Sequence, residues 1–192
     1  DLEEADNIYA ATLYHADLRI GQLLDALEEM KITENTLVIF SSDNGPARGA
    51  PNSPITLTYD SATGPGYGIG GARGITGGRR AFKGALMEGG IGVPFIARWP
   101  GKIAAGKVDK TSVLSAVDLL PTFCELAGVK LPKWYKPDGI SQVSTLMGRG
   151  NKLRKKPIFW KMSAPWPANE SKPDHWVAYA VVHEQWKLVL NK

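Results

Sequence analysis

Two short runs, "TLVIFSS" at residues 36–42 and "VPFIARW" at 93–99, set the strongest limit on what this chain can fold into. Both are rich in β-branched and aromatic residues, and neither alternates apolar with polar at its centre. Each is therefore expected as a strand covered on both faces. Ahead of the first run, Leu13, Ala16, Ile20, Leu23, Leu24 and Leu27 recur at helical spacing, with Arg19, Gln22, Asp25, Glu28 and Glu29 between them. That is the stripe of an amphipathic helix. After the second run, "DLLPTFCELAG" predicts another helix, with Asp118 as its N-cap, Pro121 in its first turn and Gly128 at its end. Helices alternating with buried strands predict an α/β fold built on a parallel sheet.

The tail changes character. After the Pro- and Lys-rich stretch 130–157, "PIFWKM", "WVAYAVVH" and "WKLVLNK" are strand-like, and the tight "EQ" between the last two predicts a hairpin. Residues 1–130 are thus expected to be part of the α/β domain, and 131–192 a linker and a small antiparallel β subdomain.

With 43% hydrophobic and 22% charged residues, the 192-residue composition is that of a globular protein, and no apolar run reaches the length of a membrane span. The net charge of +4 draws on "RGNKLRKK" at 149–156, which lacks the aromatic interleaving of a nucleic-acid patch and is expected as a solvated linker. A single cysteine, Cys124, excludes an internal disulfide framework, and its place in a predicted helix makes it a core residue. Residue 1 opens without an initiator Met or a signal-peptide pattern, so the chain is expected to be a piece of a longer protein.

The chemistry-bearing residues follow the first strand. In parallel α/β sheets ligands gather beyond the carboxyl ends of the strands, where "SDNG" places Asp43 and Asn44. A carboxylate and an amide carbonyl are hard oxygen donors suited to Ca²⁺ or Mg²⁺, although "SDNG" read alone favours an ordinary turn. Lys83, in a Gly-flanked turn before "MEGGIGVPFIARW", is placed to meet an oxyanion as a point charge, or else to be a solvated surface charge.

Other features carry less. Segment 64–78 holds 8 glycines in 15 positions and is expected as a long irregular loop. Its "GYGIGG" satisfies a dinucleotide fingerprint without the strand and helix that the fingerprint needs. His15, His175 and His183 are expected as surface or packing residues. Trp160, Trp166 and Trp176 would suit either a carbohydrate-facing rim or ordinary packing.

Taken in order, "LLDALEEMKITENTLVIFSSDNG", "KGALMEGGIGVPFIARWPGKI", "SAVDLLPTFCELAG", "PIFW" and "WKLVL" resemble the C-terminal portion of a type I sulfatase of the alkaline-phosphatase superfamily, a group of sulfuric ester hydrolases. The resemblance implies an alkaline-phosphatase-like parallel-sheet sandwich. It also implies that Asp43 and Asn44 supply half of the ligands of one Ca²⁺ site, and that Lys83 contacts the sulfate and the leaving oxygen. The family's nucleophile is a formylglycine made in a Cys/Ser-x-Pro-x-Arg motif. That motif is missing here, so it is expected in an upstream segment, and the 192 residues alone are expected to be inactive.

The implied substrates are sulfated carbohydrates or aryl sulfate esters, and the implied location is periplasmic or extracellular. The implied partner is the N-terminal half of the catalytic domain, or a second copy of the chain, with neither nucleic acid nor a membrane span involved. Two alternatives stay open: a phosphatase or phosphodiesterase of the same superfamily, and a non-catalytic domain holding sulfated glycans through Lys83, Arg79, Arg80 and the 149–156 cluster.

Overall fold

The computed structural model describes residues 4–46, 59–60, 64–65, 75–150, 154–162 and 177–191. The predicted first helix is α1, Glu4–Glu29. It ends where Lys31 takes a left-handed backbone (φ 58) and Ile32 N–H returns to Leu27 O at 3.1 Å, so a residue other than glycine supplies the helix stop. A 3-10 turn, Thr33–Asn35, leads into β1, Val38–Ser41.

Strand β1 pairs with a strand far along the chain. A two-residue strand β2, Tyr59–Asp60, pairs with β3, Gly64–Pro65, at the start of the segment expected to be an irregular loop. Next come a single helical turn, α2, Glu88–Ile91, and the second predicted strand, β4, Phe95–Arg98. β1 and β4 run antiparallel, with Val38 opposite Arg98 and Ser41 opposite Phe95.

This corrects the expected parallel sheet for these two strands. A parallel crossover needs a dozen or more residues, usually carried by a long helix. Between β1 and β4 the only helix among the described residues is the four-residue α2. Double-sided burial is corrected as well: Phe40 and Ile96 remain 44% and 59% exposed, because among the described residues no further element covers that face.

Beyond β4, a 3-10 turn at Ala116–Asp118 opens α3, Leu119–Leu126, and Gly128 (φ 67) follows its end as expected. Asp118 occupies the N-cap position, but its buried carboxylate makes no cap bond to α3: it accepts the N–H of Ser115 (2.9 Å) and of Ile140 (2.8 Å) and pairs with the Arg154 guanidinium. Thr122 continues the network, donating its hydroxyl to Asp118 O (2.6 Å) and accepting Gln142 N–H (2.9 Å), just before the short α4, Val143–Leu146. Arg154 is buried, so this member of the expected solvated basic run is an internal ion-pair partner.

The C-terminal sheet is antiparallel as predicted, in the order β5, Ile158–Lys161; β6, Val177–His183; β7, Trp186–Asn191. Glu184 (φ 52) and Gln185 make the tight turn between β6 and β7. One face of this sheet meets the segment before β4: buried Leu86 and Ala180 pack with Met87, Ile91, Trp160, Met162 and Val189. That small core places the sheet directly behind the turn that carries Lys83 and Glu88.

Candidate functional site

The antiparallel register decides where the candidate residues meet. Because Ser41 at the end of β1 faces Phe95 at the start of β4, the loop leaving β1 and the turn entering β4 emerge at the same edge of the pair. Ser41 Oγ donates to Pro94 O at 2.9 Å across that edge. Asp43 and Asn44 lie in the loop, and Lys83 in the turn.

Two backbone hydrogen bonds fasten loop to turn. Gly45 N–H donates to Gly90 O at 2.8 Å, and Lys83 N–H donates to Pro46 O at 2.9 Å. The approach between them is close enough to demand glycine. A Cβ at Gly45 would lie 1.8 Å from Gly89 O, and one at Gly89 would lie 1.9 Å from Ala81 O. The apposed backbone could not yield without losing these bonds. "DNG" and "EGG" are thus two halves of one interlocked structure, with Gly89 N–H also closing onto Arg80 O at 2.7 Å.

The loop has internal order. Ser42 Oγ donates to Asn44 O at 2.9 Å, and Asn44 Nδ2 donates to Gly45 O at 3.0 Å. Since the amide nitrogen is engaged with the Gly45 carbonyl, Oδ1 is the arm left for another partner. Asp43 and Lys83 are exposed and Asn44 is half-buried. No ion pair joins Lys83 to Asp43 among the described residues. The loop that carries Asp43 and Asn44 and the turn that carries Lys83 are therefore joined by backbone hydrogen bonds at Gly45 and Pro46, with Asp43 and Lys83 exposed.

No group of three or more His, Cys, Asp and Glu side chains gathers among the described residues. The hard-oxygen pair of Asp43 and Asn44 fits part of the ligand shell of an oxygen-loving divalent cation, and part only. His15 lies exposed on α1, its ring edge-on to Tyr14 with centroids 6.2 Å apart, and His183 is exposed beside the hairpin turn. Cys124 is half-buried in α3. His175, Trp166, Trp176 and the "GYGIGG" segment lie outside the described residues.

Comparison with known proteins gives this geometry a family. The Sulfatase family profile matches residues 2–129, and "N-sulphoglucosamine sulphohydrolase, C-terminal" matches residues 79–191. The chain belongs to the sulfatase family. Among curated sulfatases, it is 33% identical over 165 residues to a "Sulfatase" of Formosa agariphila, covering 79% of this chain and 25% of that one. It is 34% identical over 152 residues to human arylsulfatase A, covering 79% and 26%.

A solved structure, Ps i-CgsB in complex with k-i-k-neocarrahexaose, superposes with a TM-score of 0.71 at 27% identity, over 98% of this chain and 35% of its own. The chain spans about a quarter of the length of these curated sulfatases. The likeness supports the alkaline-phosphatase-like architecture at the level of the fold, together with the C-terminal antiparallel sheet.

Sequence reasoning named Asp43, Asn44 and Lys83 but passed over an ion pair on the neighbouring α2. Lys187, on β7, reaches Glu88 Oε1 at 2.5 Å across a separation of 99 residues. No local pattern announces such a pair.

Proposed function

We propose that this chain is the C-terminal part of the catalytic domain of a sulfuric ester hydrolase acting on sulfated carbohydrate or aryl sulfate esters, with its formylglycine nucleophile on an upstream segment. Asp43 and the Asn44 amide oxygen would supply half of the ligands of one Ca²⁺, whose bound charge stabilises the negative charge of sulfuryl transfer. The observation that carries this is the double fastening of Gly45 to Gly90 and of Lys83 to Pro46, which holds ligand loop and lysine turn side by side.

Within that site Lys83 holds its ammonium where charge accumulates as the ester oxygen leaves, without giving up a proton. The rigid backbone around Gly45 fixes the loop before substrate arrives, so no reorganisation is needed at the moment of reaction. A sulfated carbohydrate is favoured as substrate by the match to a sulphoglucosamine sulphohydrolase profile and by a structural relative solved with an oligosaccharide. Such substrates place the enzyme in the periplasm or outside the cell. No helix among the described residues is long and apolar enough to cross a membrane.

The exposed apolar residues of α1, Leu13, Leu18 and Leu23, fit a partner that is the remaining part of the catalytic domain. The test is the full-length enzyme assayed on matched aryl sulfate and aryl phosphate esters, with calcium varied. Preference for the sulfate ester, and a calcium requirement raised at least about 10-fold by Asp43→Ala, are expected. Preference for the phosphate ester would select the phosphatase alternative.

A further inference from the structure

We infer that the C-terminal sheet acts on the candidate site: the Lys187–Glu88 ion pair is a positioning contact that holds the turn against which the Asp43–Asn44 loop is locked. The inference rests on the proposed role of that loop as a source of cation ligands.

The chain of contacts is continuous. Lys187 has its side chain 17% exposed against 54% for Glu88, and its Nζ lies 2.5 Å from Glu88 Oε1 and 6.0 Å from the centre of the Trp160 ring on β5. Held between a carboxylate and an aromatic face, the ammonium has little freedom to rotate away. Glu88 is the first residue of α2, and Gly92 N–H closes that turn onto Glu88 O at 2.8 Å. The next residues, Gly89 and Gly90, are the ones that Gly45 packs against and bonds to.

Beneath the pair, Leu86, Met87 and Ile91 pack on Trp160, Ala180 and Val189. That apolar seat fixes the distance between sheet and turn but, being non-directional, does not fix how the turn is rotated. The ion pair supplies the missing direction. It pulls the start of α2 toward β7 and so sets where the Gly90 carbonyl stands to receive Gly45.

Glu88→Gln and Lys187→Met remove the pair while keeping side-chain bulk, and Lys187→Arg keeps it. Two readouts in the full-length enzyme are used: hydrogen exchange of the Gly45 and Lys83 amides, and the calcium concentration giving half-maximal sulfate release. Glu88→Gln and Lys187→Met are expected to speed exchange at Gly45 and raise the calcium requirement, each about 10-fold, as loss of an outer support does at metal sites. Lys187→Arg is expected to stay within about twofold of the parent in both.

Parent-like values in both readouts for Glu88→Gln would overturn the inference, as would faster exchange with an unchanged calcium requirement. Asp43→Ala serves as the separate control. If it leaves the calcium requirement unchanged, the ligand role fails and the inference falls with it, whereas a changed requirement in Asp43→Ala and not in Glu88→Gln removes the inference alone.

Discussion

Gly45 and Gly90 meet through a backbone hydrogen bond of 2.8 Å, with so little room that a single carbon added to Gly45 would stand 1.8 Å from the neighbouring Gly89 carbonyl. The contact joins the loop after β1 to the turn before β4, and so ties the local structure of two glycine motifs to the placement of the candidate ligands.

Gly45→Ala should therefore cost more than a surface substitution. The clash is backbone against backbone, so relief requires breaking the Gly45–Gly90 bond, and a loss of about 1–3 kcal/mol is expected from overpacking. Chemical denaturation of the parent and variant measures it. Gly21→Ala, a position with nothing within 4 Å of the added carbon, should be neutral or stabilising inside α1.

Arg154→Met should destabilise by about 3 kcal/mol, because it strands a carboxylate that is 1% exposed. The N–H donors of Ser115 and Ile140 remain and compensate only in part. In the double variant Asp118→Asn/Arg154→Met no charge is left buried, so its loss should be smaller than the sum of the two single losses, as a double-mutant cycle would show.

Asp109 gives a prediction in acid. Ser112 and Thr111, whose N–H groups donate to it at 2.9 and 2.8 Å, hold its carboxyl below the ordinary value of 3.8, at about 2. A carboxyl depressed on folding contributes stability that is fully present above its unfolded value and is lost as pH falls through the folded one. Asp109→Asn should therefore narrow its difference from the parent as pH drops from 3.8 toward 2, with little change in that difference above pH 5; thermal unfolding across this window tests it.

The surface of α1 predicts association. Leu13 and Leu23 are 53% and 54% exposed on one helix, leaving apolar area that a folded partner would cover. The 192-residue chain alone should self-associate, and Leu13→Glu with Leu23→Glu should shift it toward monomer in sedimentation velocity. An unshifted distribution would remove α1 as the associating surface.

Much of this was legible in the residues, and the failures have physical causes. The stripe from Leu13 to Leu27, the β-branched runs, the Gly128 stop and the "EQ" turn are local signals, and each element formed where its period or turn chemistry placed it. Strand sense is not local. The pairing of Val38 with Arg98 depends on how residues 42–94 return, and a helix–strand order alone pointed to the wrong direction.

Buried pairing is equally silent. Arg154 looked like one charge in a basic run until Asp118, 36 residues away, took it inside, and Lys187 gave no sign of reaching Glu88. At the candidate site, "SDNG" read alone allowed either a turn or a ligand pair. Asn44 does the work of a turn with its Nδ2 while leaving Oδ1 for another partner, so the two roles are compatible in one residue.

The most direct test of the central claim is kcat/KM for sulfate release from an aryl sulfate by the full-length enzyme carrying Lys83→Ala. If Lys83 stabilises charge on the leaving oxygen beside the Asp43–Asn44 loop, the value falls by about 100-fold or more while the fold is retained. A Lys83→Ala enzyme that releases sulfate at the parent rate would contradict the account.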